Sequence, residues 1–193
     1  MKRLLITGFD PFGGEERNPS WEAVAALPDR VGEYEVRKLC IPTVYGKAAQ
    51  RVLEEAQHFR PSAILCVGLA GGRSAVTPER IAVNIRAASI ADNEGRSFDG
   101  QRIDPEGAAA YFATVDADAM AASIREIGLP GAVSNSAGTF VCNDTLYTLL
   151  KHFHSSRVAV GFIHIPRTPE MGEPSLPLRD SIRALEAAIR TLP

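Results

Sequence analysis

The sequence predicts an α/β fold built in layers, and two features support this prediction. Segments with the apolar character of strands alternate along the chain with segments of helical periodicity, the pattern expected when helices pack on a sheet. The length of 193 residues fits one domain of roughly 100–200 residues. A chain of this size can bury about 70% of its unfolded surface, which permits a three-layer core. We therefore expect residues 1–193 to form a single domain.

The first half of the chain predicts three strands and two helices. Lys2–Thr7 is a short apolar run that ends at Gly8 and is typical of a buried strand. Asn18 can cap a helix that has Pro19 in its first turn, a favoured arrangement at helix starts. The other elements of this half are a strand over Tyr34–Ile41, a helix over Gly46–Phe59 and a strand over Ala63–Val67.

The second half continues the alternation after a long irregular segment. Arg80–Arg86 is rich in β-branched residues and predicts a strand. Residues 87–107 are polar with little periodicity, and loops of that length are usually functional or mobile. The remaining elements are strands over Ala132–Ser134 and Arg157–Ile163 and helices over Asp116–Ile127, Val141–Phe153 and Leu178–Leu192.

Charge and composition exclude several classes of protein. The formal net charge is −2 and no cluster of Lys and Arg appears, whereas nucleic-acid binders usually carry a basic face. The N-terminal apolar run, Leu4–Ile6, is shorter than the roughly 7–15 residues of a signal-peptide core. No run approaches the ~20 apolar residues of a membrane span. We expect neither a nucleic-acid partner nor a membrane.

The cysteines point to a reducing compartment. Cys40, Cys66 and Cys142 are an odd number without short spacing, so neither a disulfide framework nor a zinc site is indicated. We expect a cytoplasmic protein with reduced thiols and no metal, in which Cys40 and Cys66 are buried strand residues.

Cys142 is the candidate nucleophile. A loop of small residues precedes it, and it falls at the start of a predicted helix. A helix N-terminus carries partial positive charge and free N–H groups, which favour a thiolate and can stabilise an oxyanion. The alternative is that Cys142 is a small buried apolar residue.

His164 and Glu79 are the candidate partners of this thiol. His164 follows a predicted strand, and active sites gather at the carboxyl edge of α/β sheets, so its imidazole is the candidate base. The imidazole needs an orienting acceptor, and Glu79 stands at the entrance of an apolar strand. An ion pair between Glu79 and Arg80, or a solvated loop carboxylate, is the alternative.

Six segments resemble motifs of the pyrrolidone-carboxylate peptidases, also called pyroglutamyl peptidases of type I. The similarity runs nearly end to end and also includes Asn18-Pro19 and Pro169-Glu170. The six segments are Thr7–Gly14 (TGFDPFGG), Val67–Arg73 (VGLAGGR), Pro78–Asn84 (PERIAVN), Asp92–Gly95 (DNEG), Ala137–Asn143 (AGTFVCN) and Gly161–Pro166 (GFIHIP).

The resemblance implies a fold, an activity and three catalytic residues. The fold is a three-layer α/β/α sandwich around a mixed, mostly parallel sheet, often assembled as a homotetramer, so a homo-oligomer (tetramer or dimer) is expected. The activity is that of a cysteine exopeptidase that removes N-terminal pyroglutamyl residues from peptides, through a thioester and without a cofactor. The family's nucleophile, base and orienting carboxylate correspond to Cys142, His164 and Glu79.

The substrate accounts for the aromatic residues of the first loop. Pyroglutamate is a neutral lactam, and burying the unpaired ammonium of an ordinary peptide in an apolar pocket would be costly. Phe9 and Phe12 correspond to the family's ring-contacting aromatics, although they could instead pack the loop onto the sheet. The other residues expected near the lactam are Thr43, Leu69, Ile90, Phe140 and Val141.

This chain departs from the family pattern at a few positions. Ser89 replaces an Arg that many members place near the site, and we consider Arg86 as its substitute. Ala91 replaces Pro, which removes a backbone constraint, and Arg167-Thr168 replaces the usual Tyr-Ile. We expect these changes to affect affinity, leaving-group tolerance or loop mobility rather than reaction class.

Two other functions remain open on sequence alone. A nucleoside phosphorylase would share the fold class, but the glycine-rich segment Gly68–Arg73 matches neither a Walker loop nor a dinucleotide fingerprint. A lactam-binding protein without activity is the second alternative, and the changes at Ser89 and Arg167 keep it open.

Overall fold

The computed structural model describes residues 2–193 as an α/β fold with ten strands and five α-helices. The strands are β1 (Lys2–Phe9), β2 (Arg30–Val31), β3 (Tyr34–Ile41), β4 (Ala63–Leu69), β5 (Thr77–Pro78), β6 (Ile81–Val83), β7 (Arg86–Ala87), β8 (Asp99–Gln101), β9 (Ala110–Phe112) and β10 (Ala159–Ile165). The helices are α1 (Pro19–Ala25), α2 (Lys47–Phe59), α3 (Ala117–Glu126), α4 (Val141–Phe153) and α5 (Leu178–Ile189), with a 3-10 turn at Pro169–Met171.

Six strands form the main sheet, in the order β2-β3-β1-β4-β10-β5. The four inner strands are parallel to one another, whereas the short edge strands β2 and β5 are antiparallel to their neighbours. The predicted mixed, mostly parallel sheet is therefore confirmed. Two small antiparallel pairs, β6 with β9 and β7 with β8, lie outside the main sheet.

Both faces of the sheet are covered by helices, which makes three layers. Successive side chains of a strand point to opposite faces, and in β1 Leu4 and Ile6 join one apolar core whereas Leu5 joins the other. The first core contains buried residues of α1, α3 and α5, and the second contains those of α2 and α4. Burial of both faces explains why β1, β4 and β10 are almost continuously apolar.

Two predicted strands differ from the structure. Arg80–Arg86 is divided into β6 and β7, because the Asn84 side chain at the break bonds the backbone of Asp104 through both its amide nitrogen and its oxygen. Ala132–Ser134 is not a regular strand. This part of the chain forms only two isolated bridges, between residues 76 and 131 and between residues 79 and 134.

The expected burial of Cys40 is also wrong, whereas Cys66 is buried as expected. Cys40 lies near the end of β3, and the edge strand β2 pairs only with Tyr34 and Glu35 at the other end. The end of β3 that carries Cys40 therefore has no strand beside it on that edge. Among residues 2–193, none of the helices has the length and apolar character needed to cross a membrane.

Candidate active site

Three separate elements bring the predicted catalytic side chains to one place. Cys142 is the second residue of α4, and His164 lies near the carboxyl end of β10. Glu79 directly follows β5, whose antiparallel pairing sets Thr77 opposite His164. Cys142 and His164 line one cavity, so two residues far apart in sequence meet at the carboxyl edge of the sheet, where α/β folds place ligands.

His164 and Glu79 form a buried hydrogen-bonded pair. The distance from His164 Nδ1 to Glu79 Oε1 is 2.7 Å, and the two residues are 4% and 0% exposed. Burial raises the pKa of Glu79, but the hydrogen bond with His164 and the charge of Arg73 are among the influences that bring it below its ordinary value. Glu79 is therefore an ionised acceptor, so Nδ1 carries the proton. Nε2 is left free to accept a proton from another group.

His164 is neutral in the resting site at neutral pH. Burial lowers the pKa of His164 from its ordinary 6.5, and this effect outweighs the opposing influence of Glu79. The alternative role for Glu79, an ion pair with the adjacent Arg80, does not occur, because Arg80 binds Asp118 and Asn135 instead. Glu79 is thus neither a solvated carboxylate nor a surface ion-pair partner.

Arg73 also binds the carboxylate of Glu79, a contact that was not predicted from the sequence. Arg73 Nη1 donates to Glu79 Oε1 at 2.6 Å, and Nη2 donates to the carbonyl of Ser136 at 2.9 Å. The guanidinium therefore ties the glycine-rich loop after β4 to Glu79 and to the loop before Cys142. The signal in the sequence was a single cation at the end of the Val67–Arg73 segment, but nothing in the spacing identified Glu79 as its partner.

The Cys142 thiol differs from the thiolate that its helix position predicts. Burial, followed by the negative charge of Glu79, raises the pKa of Cys142 from 9.0 to about 12. That rise corresponds to about 4 kcal/mol, whereas a helix N-terminus contributes about 0.3–1 kcal/mol and at most ~2. The dipole is therefore too weak to offset burial, and the resting pair is a neutral thiol beside a neutral imidazole.

Gly68 makes room for the sulfur of Cys142. A Cβ atom at this position would lie 3.0 Å from Cys142 Sγ and 2.8 Å from the Phe162 ring. Phe162 is fully buried, and its ring centroid lies 4.7 Å from that of His164 and 6.2 Å from that of Phe9. The absence of a side chain at Gly68 thus sets the positions of both the thiol and the ring that supports the imidazole.

The cavity beside the thiol has a volume of about 210 Å³ and mainly apolar walls. Of the seven residues predicted to contact the substrate, five line it. Ile90 lines a neighbouring groove instead, and Val141 is fully buried in the core. Asn18 and Ala137 also line the cavity, although Asn18 was predicted only as a helix cap and as part of the family motif Asn18-Pro19. The lining residues are Phe9, Phe12, Asn18, Thr43, Leu69, Ala137, Phe140, Cys142 and His164.

Hydrogen bonds to the Asp10 carboxylate hold one side of the cavity in place. Its carboxylate accepts from the Thr43 backbone at 2.7 Å and from the Asn93 side chain at 3.2 Å. The rings of Phe12 and Phe140 meet across the cavity with centroids 6.0 Å apart. The first loop, the loop after β3 and the long irregular segment are thereby joined around one opening.

Arg86 does not stand in for the missing family arginine. Its Nε donates to Asp144 Oδ1 at 2.6 Å, and that carboxylate is fully buried. The guanidinium also lies 5.8 Å from the centroid of the Tyr45 ring, which contacts Phe140 edge-on. Arg86 therefore supports the cavity wall from behind, while Ser89 is exposed. Between Lys2 and Pro193, no three His, Cys, Asp or Glu residues are grouped so that they could hold a metal ion.

Comparison with known proteins agrees with this geometry. The family model described as pyroglutamyl peptidase matches residues 2–193. A pyrrolidone-carboxylate peptidase of Levilactobacillus brevis is 49% identical over 98% of this chain and 97% of its own length. The crystal structure of pyroglutamyl peptidase I from Bacillus amyloliquefaciens is 42% identical, with a TM-score of 0.96 over 100% of this chain and 97% of the other. The pyrrolidone carboxyl peptidase structure from Thermococcus litoralis is 33% identical, with a TM-score of 0.94 over 100% and 93%.

The similarity extends over the whole described chain and includes both sequence and fold. The relatives are peptidases by name, and their sheet and helices superpose on those of this protein. The chain belongs to the pyroglutamyl peptidase family, a family of hydrolases that act on peptides.

Proposed function

We propose that this protein is a thiol peptidase that removes N-terminal pyroglutamyl residues from peptides, with Cys142 as nucleophile. The observation that carries the proposal is the shared cavity of Cys142 and His164, in which the imidazole is bound at Nδ1 by the buried Glu79. A nucleophile, a base and an orienting carboxylate in this order are what acyl transfer by a side chain requires. Family membership supplies the substrate class.

The reaction starts from the neutral thiol and the neutral imidazole. As Cys142 Sγ attacks the pyroglutamyl carbonyl carbon, its proton passes to His164 Nε2, and the carbonyl oxygen becomes an oxyanion. Collapse of this intermediate breaks the carbon–nitrogen bond, and His164 returns the proton to the departing amine. Water then attacks the thioester with His164 as base, which releases pyroglutamate and restores the thiol. Glu79 stabilises the imidazolium that forms twice in each cycle.

The first turn of α4 can stabilise the oxyanion. Phe140, at the N-cap, makes no side-chain hydrogen bond to the helix, so the N–H groups of the first turn keep their donors free. Removal of one such donor costs about 10²–10³ in rate in studied enzymes. The helix start therefore contributes to the reaction after attack, although it does not ionise the resting thiol.

Selectivity for a lactam follows from the walls of the cavity. Phe9, Phe12 and Phe140 are among the residues of its mainly apolar lining, and the uncharged pyroglutamyl ring can enter the cavity without loss of a strongly hydrated group. A peptide with a free N-terminus would bring an ammonium ion into the same walls with no carboxylate among the lining residues, at the cost of burying an unpaired charge.

We also propose a single catalytic domain that works as a homo-oligomer, a dimer or a tetramer, in the cytoplasm. Phe112 in β9 is 68% exposed and Ile85 beyond β6 is 41% exposed, so both large apolar side chains are available to a subunit contact. Sedimentation velocity tests this assembly, and a monomer at all concentrations would contradict it. Cytoplasmic placement agrees with three free cysteines, because disulfides are rare there.

Turnover of matched amides tests the proposed function. The purified protein in a reducing buffer is given aminomethylcoumarin amides of pyroglutamate, glutamate and proline, and fluorescence is followed. We expect hydrolysis of the pyroglutamyl amide and little of the other two. Binding of pyroglutamate amide without hydrolysis would indicate a lactam-binding protein, and phosphate-dependent cleavage of nucleosides would indicate a phosphorylase. Either result would overturn the proposal.

A further inference from the structure

A second depression opens directly beside the cavity of Cys142. This groove has a volume of about 520 Å³, and it shares two wall residues, Phe12 and Leu69, with the cavity. Its other walls include Ile90 and two charged side chains, Glu15 and Arg167. A peptide whose first residue occupies the cavity can leave it past the shared wall, so the groove is accessible to the residue that follows.

Arg167 brings an unsatisfied cation into this groove. Its Nε atom is buried and has no hydrogen-bond partner within the described part of the chain, and its side chain forms no ion pair there. Its backbone is fixed, because its carbonyl accepts from Leu176 at 2.8 Å and it bridges to Ser175. A buried donor without a partner is costly, and a planar guanidinium matches a carboxylate in geometry and charge.

Gly71 provides the space in which this guanidinium lies. A Cβ atom at Gly71 would be 2.6 Å from Arg167 Nε and 3.0 Å from Cζ, closer than side-chain atoms approach. The backbone of Gly71 has no left-handed conformation that would itself require glycine. The close approach to Arg167 is therefore the feature that an added methyl group would disturb.

We propose that this groove binds the residue after pyroglutamate and that Arg167 gives the enzyme a preference for a carboxylate there. The carboxylate can be the side chain of Asp or Glu, or the free C-terminus of a pyroglutamyl dipeptide, since both present the same group one residue beyond the cleaved bond. Glu15, an exposed residue of the groove wall, repels a bound carboxylate and so limits the preference. This inference rests on the proposed function and names a specificity residue for it.

Four short peptides separate the two sources of the carboxylate. Pyroglutamyl-alanine is compared with its C-terminal amide, and pyroglutamyl-glutamic acid amide is compared with pyroglutamyl-glutamine amide, each by kcat/KM from release of the second residue. We expect the acidic member of at least one pair to be favoured about 10-fold, mainly through KM, as for a charge-assisted hydrogen bond in a partly open groove. The pair that shows the preference identifies the source.

Arg167→Met is the decisive variant, because it keeps an unbranched, flexible side chain at this position and removes the charge and the guanidinium donors. The preference, measured as the ratio of kcat/KM within each pair, should fall to about 2-fold or less, a loss of about 1 kcal/mol. Gly71→Ala should also reduce the preference, because it displaces the guanidinium without removing it. Glu15→Gln should increase it.

The outcomes distinguish this inference from the function on which it rests. Turnover of the neutral peptides without a preference in either pair would overturn the role of Arg167 alone, as would a preference that survives in Arg167→Met. If none of the four peptides is cleaved by the unaltered protein, the proposed peptidase function fails and the inference fails with it.

Discussion

Gly68→Ala tests whether close packing positions the thiol of Cys142, the proposed nucleophile. The added Cβ would lie 2.8 Å from the Phe162 ring and 3.0 Å from Cys142 Sγ, whereas carbon atoms in contact prefer about 3.5–4.0 Å. Either the ring or the sulfur must therefore move by about half an ångström or more. Phe162 is fully buried against Phe9 and His164, so movement of the ring is transmitted to the imidazole.

The expected cost appears in both activity and stability. Overpacking of a core typically costs about 1–3 kcal/mol, which should lower the melting temperature. Displacement of reacting groups by about 1 Å can cost 10² in rate, so we expect kcat for a pyroglutamyl coumarin amide to fall about 10- to 100-fold. KM should change less, because the aromatic walls of the cavity remain in place.

Gly161→Ala is the matched control for this substitution. Gly161 precedes Phe162 in β10, and an added Cβ there would point to the opposite face of the sheet, 2.4 Å from Val115. The change therefore overpacks the core that contains Val115 and not the core that contains Phe162. It should lower stability to a similar degree and leave kcat of the folded protein within about 2-fold. Normal kcat in Gly68→Ala, or an equal loss of kcat in Gly161→Ala, would refute the positioning role of Gly68.

Two further predictions concern the ionisation of His164 and the reactivity of the other two cysteines. Only neutral His164 can accept the thiol proton, and burial holds its pKa below 6.5, so kcat/KM should fall as the pH drops through that pKa. Glu79 raises the pKa of His164, so the fall of kcat/KM at acidic pH should move to lower pH in Glu79→Gln. Arg73 lowers the same pKa, so the fall should move to higher pH in Arg73→Met. Shifts of both variants in the same direction would contradict the assignment of His164 as the base. Burial raises the pKa of Cys66 to about 12, so iodoacetamide should label the exposed Cys40 in the native protein and reach Cys66 only after denaturation, as mass spectrometry can show.

The layered fold was predictable because its signals are local. The apolar runs of β1, β4 and β10 are long enough to identify strands buried on both faces, and the boundaries of β3 and α4 match their predicted ranges. The failures occurred where side chains or distant segments decide the backbone. Asn84 interrupts the stretch between β6 and β7 by bonding Asp104, and no local pattern specifies that contact.

The proximity of the candidate site residues was predictable from the sequence, but their electrostatics were not. Position along the chain and the family motifs nominated Cys142, His164 and Glu79, and all three lie together in the structure. The ionisation state of the Cys142 thiol could not be predicted, because a helix start is visible in sequence whereas the surroundings that raise the pKa of the thiol are not. The Arg73 contact with Glu79 was not predicted for a similar reason, since it depends on how the loop after β4 folds over β5.

The most direct test of the central claim is to trap the acyl group on Cys142 during turnover. The protein is mixed with a pyroglutamyl aryl ester, quenched in acid after milliseconds to seconds, digested and analysed by mass spectrometry, with Cys142→Ala in parallel. We predict one pyroglutamyl group on the peptide that contains Cys142 in the unaltered protein, and neither adduct nor turnover in the variant. Continued turnover by Cys142→Ala, or an acyl group attached to another residue, would contradict the account.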